Sequence, residues 1–128
     1  MTNIVYPITV ILGLDPRTQT TRNGRMKGGS VYILASKRNG TLYIGVTSDL
    51  PGRMAEHRAG LVPGFTKRHG VKLLVWYEHH SRIADAIQRE KNLKRWYRKW
   101  KLDLIEATNP HWQDLYDKMI AEFSGFSS

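Results

Sequence analysis

The stretch Ser30-Val31-Tyr32-Ile33-Leu34-Ala35-Ser36-Lys37-Arg38-Asn39-Gly40-Thr41-Leu42-Tyr43-Ile44-Gly45-Val46-Thr47 decides the fold. Val31 to Ser36 reads as a strand, with Tyr32 and Leu34 on one face and Val31 and Ile33 on the other. Thr41 to Thr47 reads as its return partner. Between them Lys37 to Gly40 is a hairpin loop, because Asn39-Gly40 tolerates positive φ. Gly45 has no side chain, which leaves room for another backbone or a phosphate to approach the strand.

The chain after the hairpin alternates helices with a third strand. Ser48 or Asp49 caps a helix over Leu50 to Ala59, with Pro51 allowed in its first turn, and Gly60 ends it. Leu61 to Gly70 is a loop rich in glycine, proline and basic residues. Val71 to Glu78 is a third strand, nearly unbroken in its apolar residues, as a central strand would be. Ser81 is expected to cap a long helix reaching about Lys99. A short helix follows over Leu102 to Ala107, broken by Asn109-Pro110. A last helix over His111 to Phe123 keeps the three-four rhythm of core packing through Trp112, Leu115, Tyr116, Met119, Ile120 and Phe123.

Residues 1–29 read as an N-terminal extension, joined by a flexible linker around Asp15 to Gly24 that has turn formers and no hydrophobic period. Residues 30–123 form one domain, and 124–128 are a tail. At 128 residues the chain can hold one modest core. It contains no cysteine, which excludes disulfides, thiolate metal sites and a cysteine nucleophile. No run approaches the roughly 18 apolar residues of a membrane span. No signal peptide is expected, and a cytoplasmic location is. The net charge is +9. Arg82, Arg89, Lys91, Lys94, Arg95, Arg98, Lys99 and Lys101 crowd one segment against only Asp85 and Glu90. A basic segment on an otherwise balanced domain points to a polyanionic partner.

Five side chains in this framework suit phosphodiester chemistry. Glu90 lies on the inward stripe of its helix with Ile83 and Ile87, and a buried carboxylate is costly unless paired or metal-bound. Lys94, one turn later, offers the plain pairing. A single carboxylate also suits Mg²⁺, which keeps waters and takes substrate phosphate as a ligand. Tyr32 and Tyr43, on neighbouring strands, can aim their hydroxyls at one place. A phenol, with a reference pKa near 10, serves as a base only beside a cation or a metal. Arg53 and His57 share a helix face. Arginine's fork matches phosphate oxygens, or pairs with Glu56 or Asp49. His79 and His80 point to opposite faces if their strand continues, and so make a poor metal pair. Lys67 and Arg68 in the loop, with Lys91, Lys94, Arg95 and Arg98, can hold a phosphate backbone. Trp96, Tyr97 and Trp100 belong to the core or stack on an unpaired base.

The order and spacing of Tyr32, Tyr43, Arg53, His57 and Glu90 resemble the GIY-YIG nuclease family, chiefly its small stand-alone bacterial members. They are also similar to the N-terminal nuclease domain of the excision-repair incision subunit. The specific pieces are Leu42-Tyr43-Ile44-Gly45-Val46-Thr47 with Leu50 and Arg53, and Arg89-Glu90-Lys91 with Leu93-Lys94. The resemblance implies an α/β (α+β) fold with a small three-stranded antiparallel sheet flanked by helices. It implies a metal-dependent endonuclease of DNA repair type, using one Mg²⁺ or Mn²⁺ on Glu90. It adds a late asparagine, matched by Asn109 or else Asn92, to the catalytic set. Ser30-Val31-Tyr32 stands where the family has Gly-Ile-Tyr. Family members that choose a sequence or a DNA structure usually carry an extra targeting domain, which this sequence does not show, so specificity is expected to be weak, shape-based or supplied by a targeting protein partner. The alternatives are an RNA substrate and a non-catalytic module that binds branched or single-stranded nucleic acid.

Overall fold

The computed structural model describes residues 28–61, 64 and 68–124. The expected extension up to residue 27, Lys67 and residues 125–128 lie outside the described residues. In chain order the elements are β1 (Gly29–Ala35), β2 (Leu42–Thr47), α1 (Leu50–Arg58), β3 (Leu73–His80), α2 (Ile83–Arg95), α3 (Arg98–Thr108) and α4 (Tyr116–Phe123). The three strands form one antiparallel sheet in the order β2-β1-β3, so the fold is α+β. Asn39 has φ 57°, the left-handed conformation that the hairpin loop requires.

The strands divide their side chains between two cores. Val31, Ile33 and Ala35 pack with Ala86 and Leu93 of α2, Ile105 of α3 and Trp112. Tyr32 and Leu34 pack on the opposite face with Leu50 and Met54 of α1 and Met119 and Phe123 of α4. Helices therefore cover both faces, and β1 is buried throughout because it is the central strand. The sequence assigned that place to β3, which is an edge strand. Its unbroken apolar run has another cause. The register slips between Ile33, opposite Trp76, and Leu34, opposite Leu74, which leaves Val75 as an extra residue. This bulge puts Val75 and Trp76 in one core and Leu74 in the other.

Two helix boundaries also differ from expectation. The long helix stops at Arg95, because Trp96 and Tyr97 adopt extended backbone with ψ 153° and 152°. No glycine or proline marks the break. Trp96 turns onto the first core, with Arg89 over its ring and Trp100 edge-on to it, so tertiary packing overrides local helix propensity. α3 then starts at Arg98 and absorbs the expected short helix. At the N-terminal end Arg82, not Ser81, holds the cap position, without a side-chain hydrogen bond.

The last helix begins at Tyr116, not His111. Trp112 belongs to one core and Met119 to the other, so the chain has to pass around the sheet between them. It does so along the edge of β3. Leu115 N–H donates to the Leu74 carbonyl at 2.8 Å, and Leu74 N–H donates to Asp114 Oδ1 at 3.2 Å. Asn109 Nδ2 donates to the Val75 carbonyl at 3.1 Å. A segment that satisfies these groups covers an edge that would otherwise invite pairing with another chain.

Candidate active site

The hairpin register places both tyrosines on the α1 side of the sheet. Tyr32 lies opposite Gly45, and Tyr43 is two residues before Gly45 on the same face. α1 is fixed above them by its own N-terminus. Thr47 Oγ1 accepts from Asp49 N–H at 3.0 Å, and Asp49 Oδ1 accepts from Gly52 N–H at 3.1 Å. That start directs Leu50, Arg53, Met54 and His57 inward along one helix face.

Three rings meet there. The Tyr32 hydroxyl lies 3.3 Å from His57 Nε2. Ring centroids are 6.3 Å apart for Tyr32 and Tyr43, and 5.8 Å from His57 to each. Tyr32 is 2% exposed, whereas Tyr43 is only half-buried. What approaches Gly45 is the ring of Tyr32 rather than another backbone. A methyl group at Gly45 would lie 2.5 Å from both Cζ and the hydroxyl of Tyr32. The ring is enclosed and cannot swing away, so Gly45→Ala should destabilise the protein by about 1–3 kcal/mol. Urea denaturation measures this. An unchanged midpoint would show that Tyr32 can move aside.

His57 is neutral at physiological pH. Its pKa is pushed down to about 4, first by burial and then by the Arg53 guanidinium one turn earlier. Its Nδ1 is buried and makes no hydrogen bond. In the unfolded chain a histidine titrates near 6.5. Between about pH 6.5 and 4 the unfolded state therefore binds a proton that the folded state refuses. Stability from this group is complete above 6.5 and falls as the pH drops through that window. His57→Gln should reduce that acid-side loss by something on the order of 3 kcal/mol. Urea denaturation at pH 7 and pH 4.5 checks it, and equal losses in both proteins would contradict it.

Arg53 is 3% exposed, with Nη1 3.8 Å from Glu56 Oε1. Thus Tyr32, Tyr43, Arg53 and His57 share one buried cluster. Glu90 comes from elsewhere. It is 7% exposed on α2, the helix whose Ala86 and Leu93 pack in the other core. Its Oε2 is ion-paired with Lys94 Nζ. Among the described residues no three His, Cys, Asp or Glu side chains gather to hold a metal. Any ion held by Glu90 would therefore complete its shell with water and phosphate, as Mg²⁺ does.

The remaining expected residues have other surroundings. Asn109 is buried. Its Nδ2 donates to the carbonyls of Val75 and Gln113, and its Oδ1 accepts from Gln113 N–H at 3.0 Å. Both its donors thus bind backbone at the β3 edge. Asn92 is exposed and accepts from Gln88 Nε2. Arg98 donates to the carbonyls of Asn39 at 2.9 Å and Gly40 at 2.7 Å, tying α3 to the hairpin loop. Arg68, Lys91 and Arg95 are exposed. His79 pairs with Ser30, and His80 with Glu78, so the two histidines diverge. Glu78, for which the sequence gives no signal, also accepts from Arg89 Nε at 2.9 Å.

Comparison with known proteins fits this arrangement. The GIY-YIG catalytic domain family matches residues 28–103. The chain belongs to the GIY-YIG family. The match runs from the start of β1 into α3 and includes Tyr32, Tyr43, Arg53, His57 and Glu90. A UPF0213 protein of Staphylococcus haemolyticus is 38% identical over 76 residues, covering 59% of this chain and 92% of the relative. A UPF0213 protein of Clostridium perfringens is 33% identical over 90 residues, covering 70% of this chain and 95% of the relative. No solved structure matches the chain. Membership in the family gives a nuclease-type role and a nucleic-acid substrate as the coarse statement of function. No helix among the described residues is long and apolar enough to cross a membrane.

Proposed function

We propose that this GIY-YIG domain is a DNA endonuclease that hydrolyses phosphodiester bonds with one divalent ion, Mg²⁺ or Mn²⁺, held by Glu90. The observation that carries the reading is the convergence of Tyr32, Tyr43 and His57 beside buried Arg53. When bound, the ion adds positive charge at the scissile phosphate. Everything else falls to the chain's own residues. Arg53 stabilises charge developing on the phosphate oxygens, for which its fork geometry suits it.

Burial divides the two tyrosines. Tyr43 is the more accessible and is the better placed to orient the attacking water and, once ionised to phenolate beside a cation, to take its proton. Tyr32 is enclosed, and its hydroxyl meets His57 Nε2. His57, with a pKa of about 4, cannot take a phenol's proton. The gap of about six units to a reference phenol corresponds to roughly 8 kcal/mol. Its role is therefore to orient Tyr32, which in turn packs against Tyr43. Lys91 and Arg95 hold neighbouring phosphates.

One observation favours a second reading. The Glu90 carboxylate is already compensated by Lys94, so the fold could serve as a binding module that never cuts. Incubation with labelled duplex, flap, junction and single-stranded DNA and RNA, in Mg²⁺, Mn²⁺ and EDTA, separates the two. Metal-dependent cleavage of DNA supports the nuclease. Binding without cleavage in either metal supports the module, and cleavage confined to RNA reassigns the substrate.

A further inference from the structure

The break between α2 and α3 creates a surface that the proposed chemistry does not use. Trp96 turns inward at the break, and the next two aromatic residues are left outside. Tyr97 is 71% exposed and Trp100 50% exposed, the two rings edge-to-face with centroids 5.0 Å apart. Large aromatics are seldom left in water without a use, and this pair stands among cations. Lys101 is partly buried beside them. Its ammonium is held below the usual lysine range, first by desolvation and then by the charges of Arg98 and Lys94. Arg98 and Lys94 thus lie near enough to act on Lys101, Arg98 while donating to the hairpin carbonyls and Lys94 while paired with Glu90.

We propose that Tyr97 and Trp100 form a stacking platform for an unpaired base in the strand flanking the cleavage point, with Lys94, Arg98 and Lys101 holding its phosphates. Aromatic faces interleaved with positive charge are what single-stranded nucleic acid binds, because every base has a π-face and every linkage an anion. A blunt duplex fits less well, since its base faces are hidden within the stack. A second copy of the chain also fits less well. A two-fold contact through this patch would set Lys94, Arg98 and Lys101 against themselves in a chain of net charge +9. Tyr97 lies two residues past the end of α2, the helix that carries Glu90. The platform therefore implies a substrate with single-stranded character next to the cut, such as a flap, overhang or gap. This rests on the nuclease reading of the same domain.

Equilibrium binding by the full chain in EDTA tests the platform apart from catalysis. The probes are a blunt duplex, the same duplex with a ten-thymidine overhang, and that overhang made abasic. The wild type should prefer the thymidine overhang to both others. A Tyr97→Ala/Trp100→Ala double variant should lose at least about fivefold of that preference while keeping its duplex affinity within twofold. Tyr97→Ala alone, which removes a mostly solvent-exposed ring, repeats the test if the double variant does not fold. The proposal is overturned if the abasic overhang binds as well as the thymidine one, or if the variants weaken all probes equally. It is also overturned if the wild type is a dimer that the double variant dissociates while the overhang preference survives. Binding to none of the probes would remove the nucleic-acid reading itself. An overhang preference without cleavage in Mg²⁺ or Mn²⁺ would keep the platform and remove the nuclease.

Discussion

Glu90→Gln should abolish cleavage in Mg²⁺ and Mn²⁺ while leaving the fold intact. The substitution keeps side-chain length and helix propensity but removes the charge. In the structure that charge pairs with Lys94, whose side chain is 54% exposed. Such an i,i+4 pair contributes only about 0.3–0.5 kcal/mol, so stability should barely move. The two readings of Glu90 therefore separate cleanly. As an ion-pair partner, its loss costs a few tenths of a kcal/mol and activity survives. As the single protein ligand of the metal, its loss removes cleavage, while DNA affinity in EDTA stays level or rises because a negative charge near the phosphates is gone. Isothermal titration with Mn²⁺ adds a readout that does not need turnover. Lys94→Gln should strengthen Mn²⁺ binding, since an ammonium and a cation compete for one carboxylate. An active Glu90→Gln protein would sink the metal-ligand assignment.

The parts of the fold that the sequence made legible are those with local causes. The hairpin was readable because Asn39-Gly40 permits the left-handed turn and the apolar alternation fixes which face each tyrosine takes. The start of α1 was readable because Asp49 caps it with its own side chain. The misread parts have distant causes. Trp96 breaks a helix because of what lies beneath it, and no residue in the segment is a helix breaker. Trp112 and Met119 fit one helical rhythm, yet they serve opposite faces of the sheet, and only the passage around β3 reveals it. Val75 mimics a central strand through a bulge whose partner lies in β1. The cluster of Tyr32, Tyr43, Arg53 and His57 was legible as a set, since face and spacing are local properties. Burial was not. The sequence could not tell that Tyr32 is enclosed while Tyr43 is accessible, or that His57 is held neutral. Nor could it tell that both donors of Asn109 bind the backbone at the β3 edge.

That difference in burial sets the order expected of the two tyrosine variants. Tyr43→Phe should slow cleavage by about 10²–10⁴-fold, the usual worth of general-base catalysis, because it removes the hydroxyl of the less buried tyrosine. Tyr32→Phe should cost less. Its hydroxyl orients and is oriented by His57, and the enclosed ring that fills the space above Gly45 remains. Tyr32→Phe leaves His57 Nε2 without its partner in a buried place, a loss of about 1–3 kcal/mol that should lower its melting temperature. Tyr43→Phe is thus expected to be the worse enzyme of the two. Single-turnover rates in Mg²⁺, paired with urea denaturation of each variant, read both quantities. If Tyr32→Phe is the slower enzyme, the enclosed tyrosine is the base, and water must reach it by an opening of α1. If both variants cut at wild-type rates, the tyrosines are packing residues, and the phosphate chemistry rests on Arg53 and the metal alone.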